Sequence, residues 1–111
     1  MTTPNEIIET VCEFRGVLEA EVLSTKRTAR VAQARQEAIS LTKQFCKSYT
    51  ISALCKLFGR DHTTIIYSIL RVSDRERQAE YAGDMLAMRA RIDPENYPNK
   101  QIIFRSVRAK Q

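Results

Sequence analysis

A glycine-centred turn between two short apolar stretches constrains this chain more than any other feature. Before the turn, Ile51, Leu54 and Phe58 recur at helical spacing; after it come Ile65, Ile66, Ile69, Leu70 and Val72. The turn itself reads Gly59-Arg60-Asp61-His62-Thr63-Thr64. Gly59 is placed to end the first helix, because glycine takes the left-handed conformation without a side-chain penalty. Asp61 can start the second by accepting a bond from first-turn amides, and Thr50 can cap the first in the same way. Two short helices joined by a tight, glycine-containing turn predict a helix-turn-helix, whose second helix is built to enter a DNA groove. His62, Thr63 and Thr64 would form the first turn of that helix.

The charge distribution fits an anionic partner. The chain has 111 residues, enough for one domain with one core, and a net charge of +5. Val22 to Arg60 holds eight bases (Lys26, Arg27, Arg30, Arg35, Lys43, Lys47, Lys56, Arg60) and one acid, Glu37. Residues 1–21 hold five acids and one base, Arg15. A basic face beside a helix-turn-helix is the electrostatic footprint of a DNA binder. An ordinary solvated lysine and arginine surface would read the same on charge alone.

Other classes find little support. The cysteines Cys12, Cys46 and Cys55 lack metal-ligand spacing, and His62 is the single histidine. They read as buried thiols of a reducing compartment. The chain shows neither a membrane-length apolar run nor a glycine-rich phosphate loop, so a cytoplasmic protein with no nucleotide, metal or cofactor is expected. His62 has no nucleophile or acid at a recognisable spacing, so an enzyme is not expected.

Along the chain, Pro4 and Asn5 should precede a first helix carrying Ile7, Ile8, Val11, Cys12 and Phe14, closed by Gly16. Leu18 to Leu23 predicts a short second helix. Ser24 to Gln33, with Lys26, Arg27 and Arg30, reads as a basic loop able to reach a backbone or a minor groove, where arginine is favoured. Ala34, Ala38, Leu41 and Phe45 predict a central amphipathic helix, with Arg35, Lys43 and Lys47 off its stripe. In the second helix of the motif, Ile65, Ile66, Ile69 and Leu70 should face inward. His62, Thr63, Tyr67, Ser68 and Arg71 should lie outward or at the margin. Ser73-Asp74 reads as a break or new cap before a helix over Arg75 to Ile92 with Tyr81, Met85 and Met88 or Leu86 as apolar positions. The expected division is a helical domain over 1–92 and a loop with a basic tail over 93–111, including Ile102-Ile103-Phe104.

Residues 28–72 resemble the C-terminal DNA-binding domain (domain IV) of the bacterial replication initiator DnaA; a weaker likeness extends upstream through Val11 to Ser24, and together the resemblance covers roughly residues 7–90. The family signature stands as Arg60-Asp61-His62-Thr63-Thr64, supported by Arg35-Gln36 and Phe58-Gly59. The resemblance implies an all-α, Trp-repressor-like helix-turn-helix domain of five to six helices with a short irregular C-terminal tail. It implies Asp61, His62, Thr63 and Thr64 near base edges or adjacent phosphates, Arg27 in the minor groove, and Arg35, Lys43 and Arg60 approaching the DNA backbone. Lys26, Arg30, Ser52, Tyr67, Ser68 and Arg71 are secondary candidates. The family commonly has two glycines before the signature arginine; only Gly59 stands here, and the preceding loop is one residue longer. DnaA also carries an ATP-binding AAA+ module; no glycine-rich phosphate loop stands in these 111 residues, so a DNA-reading module without it is expected.

Side-chain chemistry agrees independently. A threonine methyl packs on a thymine methyl, and an aspartate accepts a bond from cytosine N4. Asp61 as a helix cap and Thr64 as a local first-turn partner are the plain structural alternatives. The expected partner is double-stranded DNA, with a replication or transcription protein as a further partner. One expected role is a transcriptional regulator of phage or mobile-element origin. The other is a replication-associated factor that binds or competes for DnaA-box-like sites. A protein-interaction module with an incidental basic face is a third.

Overall fold

The computed structural model describes residues 2–97, and within them the chain is all-helical. Six helices follow in order: α1 Pro4–Arg15, α2 Glu19–Val22, α3 Ala29–Phe45, α4 Ile51–Phe58, α5 His62–Arg75 and α6 Ala79–Ile92. The Ile102-Ile103-Phe104 run and the basic tail lie outside the described residues.

Local chemistry sets most of the helix ends. Thr3 Oγ1 accepts from the Glu6 amide at 3.3 Å, so Pro4 is the first residue of α1 rather than its prelude. Gly16, at φ 70°, and Gly59, at φ 63°, close α1 and α4 in the left-handed region. Thr50 Oγ1 accepts from Ala53 N at 3.1 Å and caps α4.

The central beam α3 packs against α1, α5, α2 and α4, and α1 packs in turn on α6. It begins at Ala29, five residues before the expected start, so the basic loop is shorter than its sequence implied. The cause is Val31, which is 2% exposed and opens the inward stripe that Ala34, Ala38 and Leu41 continue. Arg27 and Arg30 on either side of the boundary obscure that stripe in the sequence. Met85 and Met88 are the buried positions of α6, with Tyr81 packed against the core. Cys12 and Cys46 are buried, and Cys55 is only half-buried, against the expectation of three buried thiols. Burial, reinforced by Glu19 and Glu21, pushes the Cys12 thiol up to about 11.

Glu37 is fully buried on α3, a placement the sequence does not announce. Arg15 grips it in a fork, with Nε to Oε1 and Nη2 to Oε2 both 2.7 Å. Tyr81 donates its hydroxyl to Oε2 at 2.7 Å, and Gln33 donates at 3.2 Å. Arg15 also reaches Asp84 at 3.1 Å. Burial and the Glu37 charge push the Tyr81 phenol well above its ordinary range. One carboxylate thereby joins α1, α3 and α6.

Helix α5 differs from expectation in two ways. Ile66 and Leu70 are exposed, at 46% and 63%, whereas Ser68 is buried. The inward stripe is Ile65, Ser68 and Val72, with Ile69 partly buried beside it. Ser68 tolerates burial because its hydroxyl donates to the Thr64 carbonyl at 2.8 Å. The helix also runs through Ser73-Asp74 to Arg75, and the break falls at residues 76–78. Burial of Val72 holds that last turn on the core, and Asp74 pairs with Arg71 and Arg77 instead of capping.

Candidate nucleic-acid interface

The turn between α4 and α5 forms as its residues dictate. Gly59 reverses the chain, and its amide bonds back to Cys55 O. Asp61 then caps α5, its Oδ1 accepting from the Thr64 amide at 2.8 Å. Bonds from the Thr64 amide and hydroxyl hold the Asp61 carboxyl below its usual range. The cap is therefore complete above the ordinary aspartate range and is lost as pH falls through that depressed value. His62, Thr63 and Thr64 follow as the exposed first turn of α5. Ser52 in the first turn of α4 meets His62 across the turn, Oγ to Nε2 at 3.5 Å.

A second exposed element sits beside this turn. The loop at residues 23–28 presents Lys26 and Arg27, and Arg30 is exposed on the first turn of α3. Lys26 is engaged by Glu21 at 2.6 Å, whereas Arg27 has no ion-pair partner among the described residues. Arg30 lies close enough to Glu21 to help hold that carboxyl down, after Lys26 and the Leu18 amide.

Two arginines fix the loop from below. Arg35 is 6% exposed, not at the surface as its charge implied. Its Nε donates to Val22 O at 2.7 Å. Its Nη2 is shared among Glu21 O at 3.1 Å, Ser24 O at 2.9 Å and Lys26 O at 2.9 Å. Arg60 reaches the same Ser24 carbonyl at 2.8 Å and also contacts Phe58 O and Gly59 O. Ser24 O is thus the point where α3, the loop and the α4–α5 turn are joined. Burial, and then the nearby Arg60 charge, lower the Arg35 pKa from its ordinary value. Arg35 lies off no stripe: it follows Val31 by four residues and precedes Ala38 by three, which places it on the inward face. That spacing was the available signal for its burial.

The remaining candidates are dispersed around these two elements. Lys43 is half-buried on α3, its Nζ 3.4 Å from Tyr49 O. Tyr67 is 56% exposed, and Arg71 is exposed beside Asp74 at 3.8 Å. Ser68 is turned into the core and is removed from the exposed set. None of the described helices is long and apolar enough to cross a membrane.

Comparison with known proteins agrees with this arrangement. The family model described as the bacterial dnaA protein helix-turn-helix matches residues 4–72, from α1 into α5. The chromosomal replication initiator proteins DnaA of Neisseria meningitidis serogroup C and Neisseria gonorrhoeae are each 37% identical over 83 residues. That stretch covers 74% of this chain and 16% of each relative. The DnaA of Bordetella pertussis is 36% identical over 80 residues, covering 70% of this chain and 17% of its own length. The chain thus spans about a sixth of the length of these relatives. With the six-helix fold, the capped turn and the matched residues in agreement, the chain belongs to the bacterial DnaA C-terminal helix-turn-helix family.

Proposed function

We propose that this chain is a sequence-specific double-stranded DNA-binding protein that acts at replication-initiator sites. The observation that carries the reading is the joining of two exposed elements through Ser24 O, which holds the Arg27 loop and the first turn of α5 in one fixed relation. A reader that uses both grooves needs that relation to be rigid. Asp61, His62, Thr63 and Thr64 take the major groove, at base edges or adjacent phosphates. Arg27 takes the adjacent minor groove, and Lys43, Ser52, Lys26, Arg30 and Arg71 lie at the flanks toward the backbone. Arg35 and Arg60 serve chiefly to hold the loop. The reading requires no cofactor and no catalytic residue. The relatives named above are replication initiators, which favours a replication-associated role, by binding or competing for initiator sites, over transcriptional regulation.

Selection of bound sequences from a random duplex library, at stated salt, tests the proposal directly. Affinity for the selected duplex should fall steeply with salt. If about five phosphates are neutralised, the log–log slope is about -4 to -5. Salt-independent binding, or failure to bind any duplex, would overturn the reading.

Arg27→Lys separates groove insertion from long-range attraction, because it keeps the charge. Guanidinium is shed of water more readily than ammonium and suits a narrow minor groove. Specific affinity should therefore fall about tenfold, with non-specific affinity nearly intact. Melting of the free protein should shift by less than about 0.5 kcal/mol, because the residue is exposed. Wild-type affinity for the selected site across a salt series would remove Arg27 from the minor groove.

A further inference from the structure

Lys26 and Arg27 are neighbours on the exposed loop, but the fold engages only one of the two charges. The Lys26 amide donates to Ser24 Oγ at 3.0 Å, and its carbonyl accepts from Arg35 at 2.9 Å. Its ammonium donates to Glu21 Oε2 at 2.6 Å. Arg27 has no ion-pair partner among the described residues. The Glu21 carboxylate is itself fixed, because its Oε1 accepts from the Leu18 amide at 3.0 Å. Glu37, the one acid between Val22 and Arg60, is buried, which leaves Glu21 as the carboxylate beside the loop. An exposed ion pair of this kind adds little to stability, and the loop backbone is already held by Arg35 and Arg60. The pairing of Glu21 with Lys26 therefore calls for a role other than keeping the loop folded.

We propose that Glu21 is a specificity-determining residue: by holding Lys26 back, it leaves Arg27 as the one of the two adjacent cations presented to the minor groove. The inference rests on the DNA-binding function proposed above and adds what sets its selectivity. Lys26 keeps its place at the flank, but its charge is directed to Glu21 rather than to a phosphate. Non-specific affinity comes almost wholly from phosphate contacts, and a free ammonium can make one in many registers. On random duplex those registers add together. At the selected site one register, with Arg27 inserted, is already preferred, and a second mobile cation adds less. Lysine is also the poorer occupant of a narrow groove, since ammonium gives up water less readily than guanidinium. Glu21 removes that competitor without touching the DNA, so it is a positioning residue that acts through Lys26.

Glu21→Gln separates the charge from the rest of the side chain. Glutamine can still accept from the Leu18 amide, and the backbone carbonyl that Arg35 meets is unaltered. Binding of the full chain is measured on the selected duplex and on random duplex across a salt series. Affinity for random duplex should rise about two- to fivefold, the scale of one exposed ion pair. Its log–log salt slope should steepen by about one. Affinity for the selected duplex should rise by less than about twofold, so selectivity falls. Lys26→Ala in the Glu21→Gln background should remove the gain, because the freed ammonium is its source. No gain on random duplex, an equal gain on both duplexes, or a gain that persists without Lys26 would overturn the inference, the last two by showing that Glu21 acts only through long-range repulsion. Weaker specific binding with an unchanged salt slope would make Glu21 a structural support of the loop, and would overturn it as well. In each of these cases the DNA-binding function stands. Failure of the unaltered protein to bind any duplex would remove both readings.

Discussion

Glu37→Ala is expected to cost about 3–5 kcal/mol of folding stability, the scale of breaking a buried ion pair from one side. Glu37 is fully buried, and Arg15, only 16% exposed in its side chain, would lose its forked partner. The Tyr81 hydroxyl would lose its acceptor in the same step. Burial of Arg15 by itself would lower its pKa, but bonds to and the charge of Glu37 outweigh that and raise it. Without Glu37 the desolvation remains and only Asp84, at 3.1 Å, is left to compensate it. Domains of this kind have about 5–15 kcal/mol in total, so much of the margin would be consumed. Denaturant unfolding checks the expectation. Glu37→Gln keeps the shape and the acceptor oxygen but not the charge, and should fall between Ala and wild type. A loss below about 1 kcal/mol in Glu37→Ala would mean that the cluster closes over the gap and is not what ties α1 to α3 and α6.

The residues with strong local chemistry were legible, and those decided by tertiary packing were not. Gly16, Gly59, Thr50 and Asp61 act where their backbone or capping chemistry places them. That chemistry operates within four residues, so it is visible in a sequence window. The first turn of α5 was legible for the same reason, as was the exposure of Arg27. Glu37 was not, because charge argues for the surface and only a partner many residues away overrides it; Arg35 carried a signal in its spacing from Val31 and Ala38, but its charge argued the other way. Their partners are Val22 and Ser24 for one, Arg15 and Tyr81 for the other. Ile66 and Leu70 misled in the opposite sense. Ile65, Ile66, Ile69 and Leu70 span about 140° of the helix and read as one broad face, but the buried arc is centred to one side of it, and Ser68, not Ile66 or Leu70, completes the buried stripe with Ile65 and Val72. Ile66 and Leu70 are left as exposed apolar surface on α5.

Arg35→Lys is expected to cost about 1.5–3 kcal/mol of stability, the scale of hydrogen bonds to a charged group, and to weaken specific DNA binding without touching any proposed groove contact. Lysine retains the charge but not the planar fork, and its single nitrogen cannot stand where Nε and Nη2 stand. Val22 O loses its 2.7 Å donor, and the bonds to Glu21, Ser24 and Lys26 carbonyls are no longer all met. The backbone from Glu21 to Lys26 would then be free to sample other conformations, and Arg27 with it. Arg60 would keep its hold on Ser24 O, so the loop should loosen rather than detach. Because Arg35 and Arg27 act through one loop, their effects on specific binding should not add. Arg35→Lys combined with Arg27→Lys should bind little worse than the weaker of the two single variants. Binding measured well below the melting temperature separates this from simple unfolding. The rival is that Arg35 contacts a phosphate directly. In that case the substitution by lysine should leave stability and salt dependence nearly unchanged, since the charge remains, and the double variant should show the sum of two independent losses. Additive losses with native stability would therefore reassign Arg35 from holding the loop to touching the DNA.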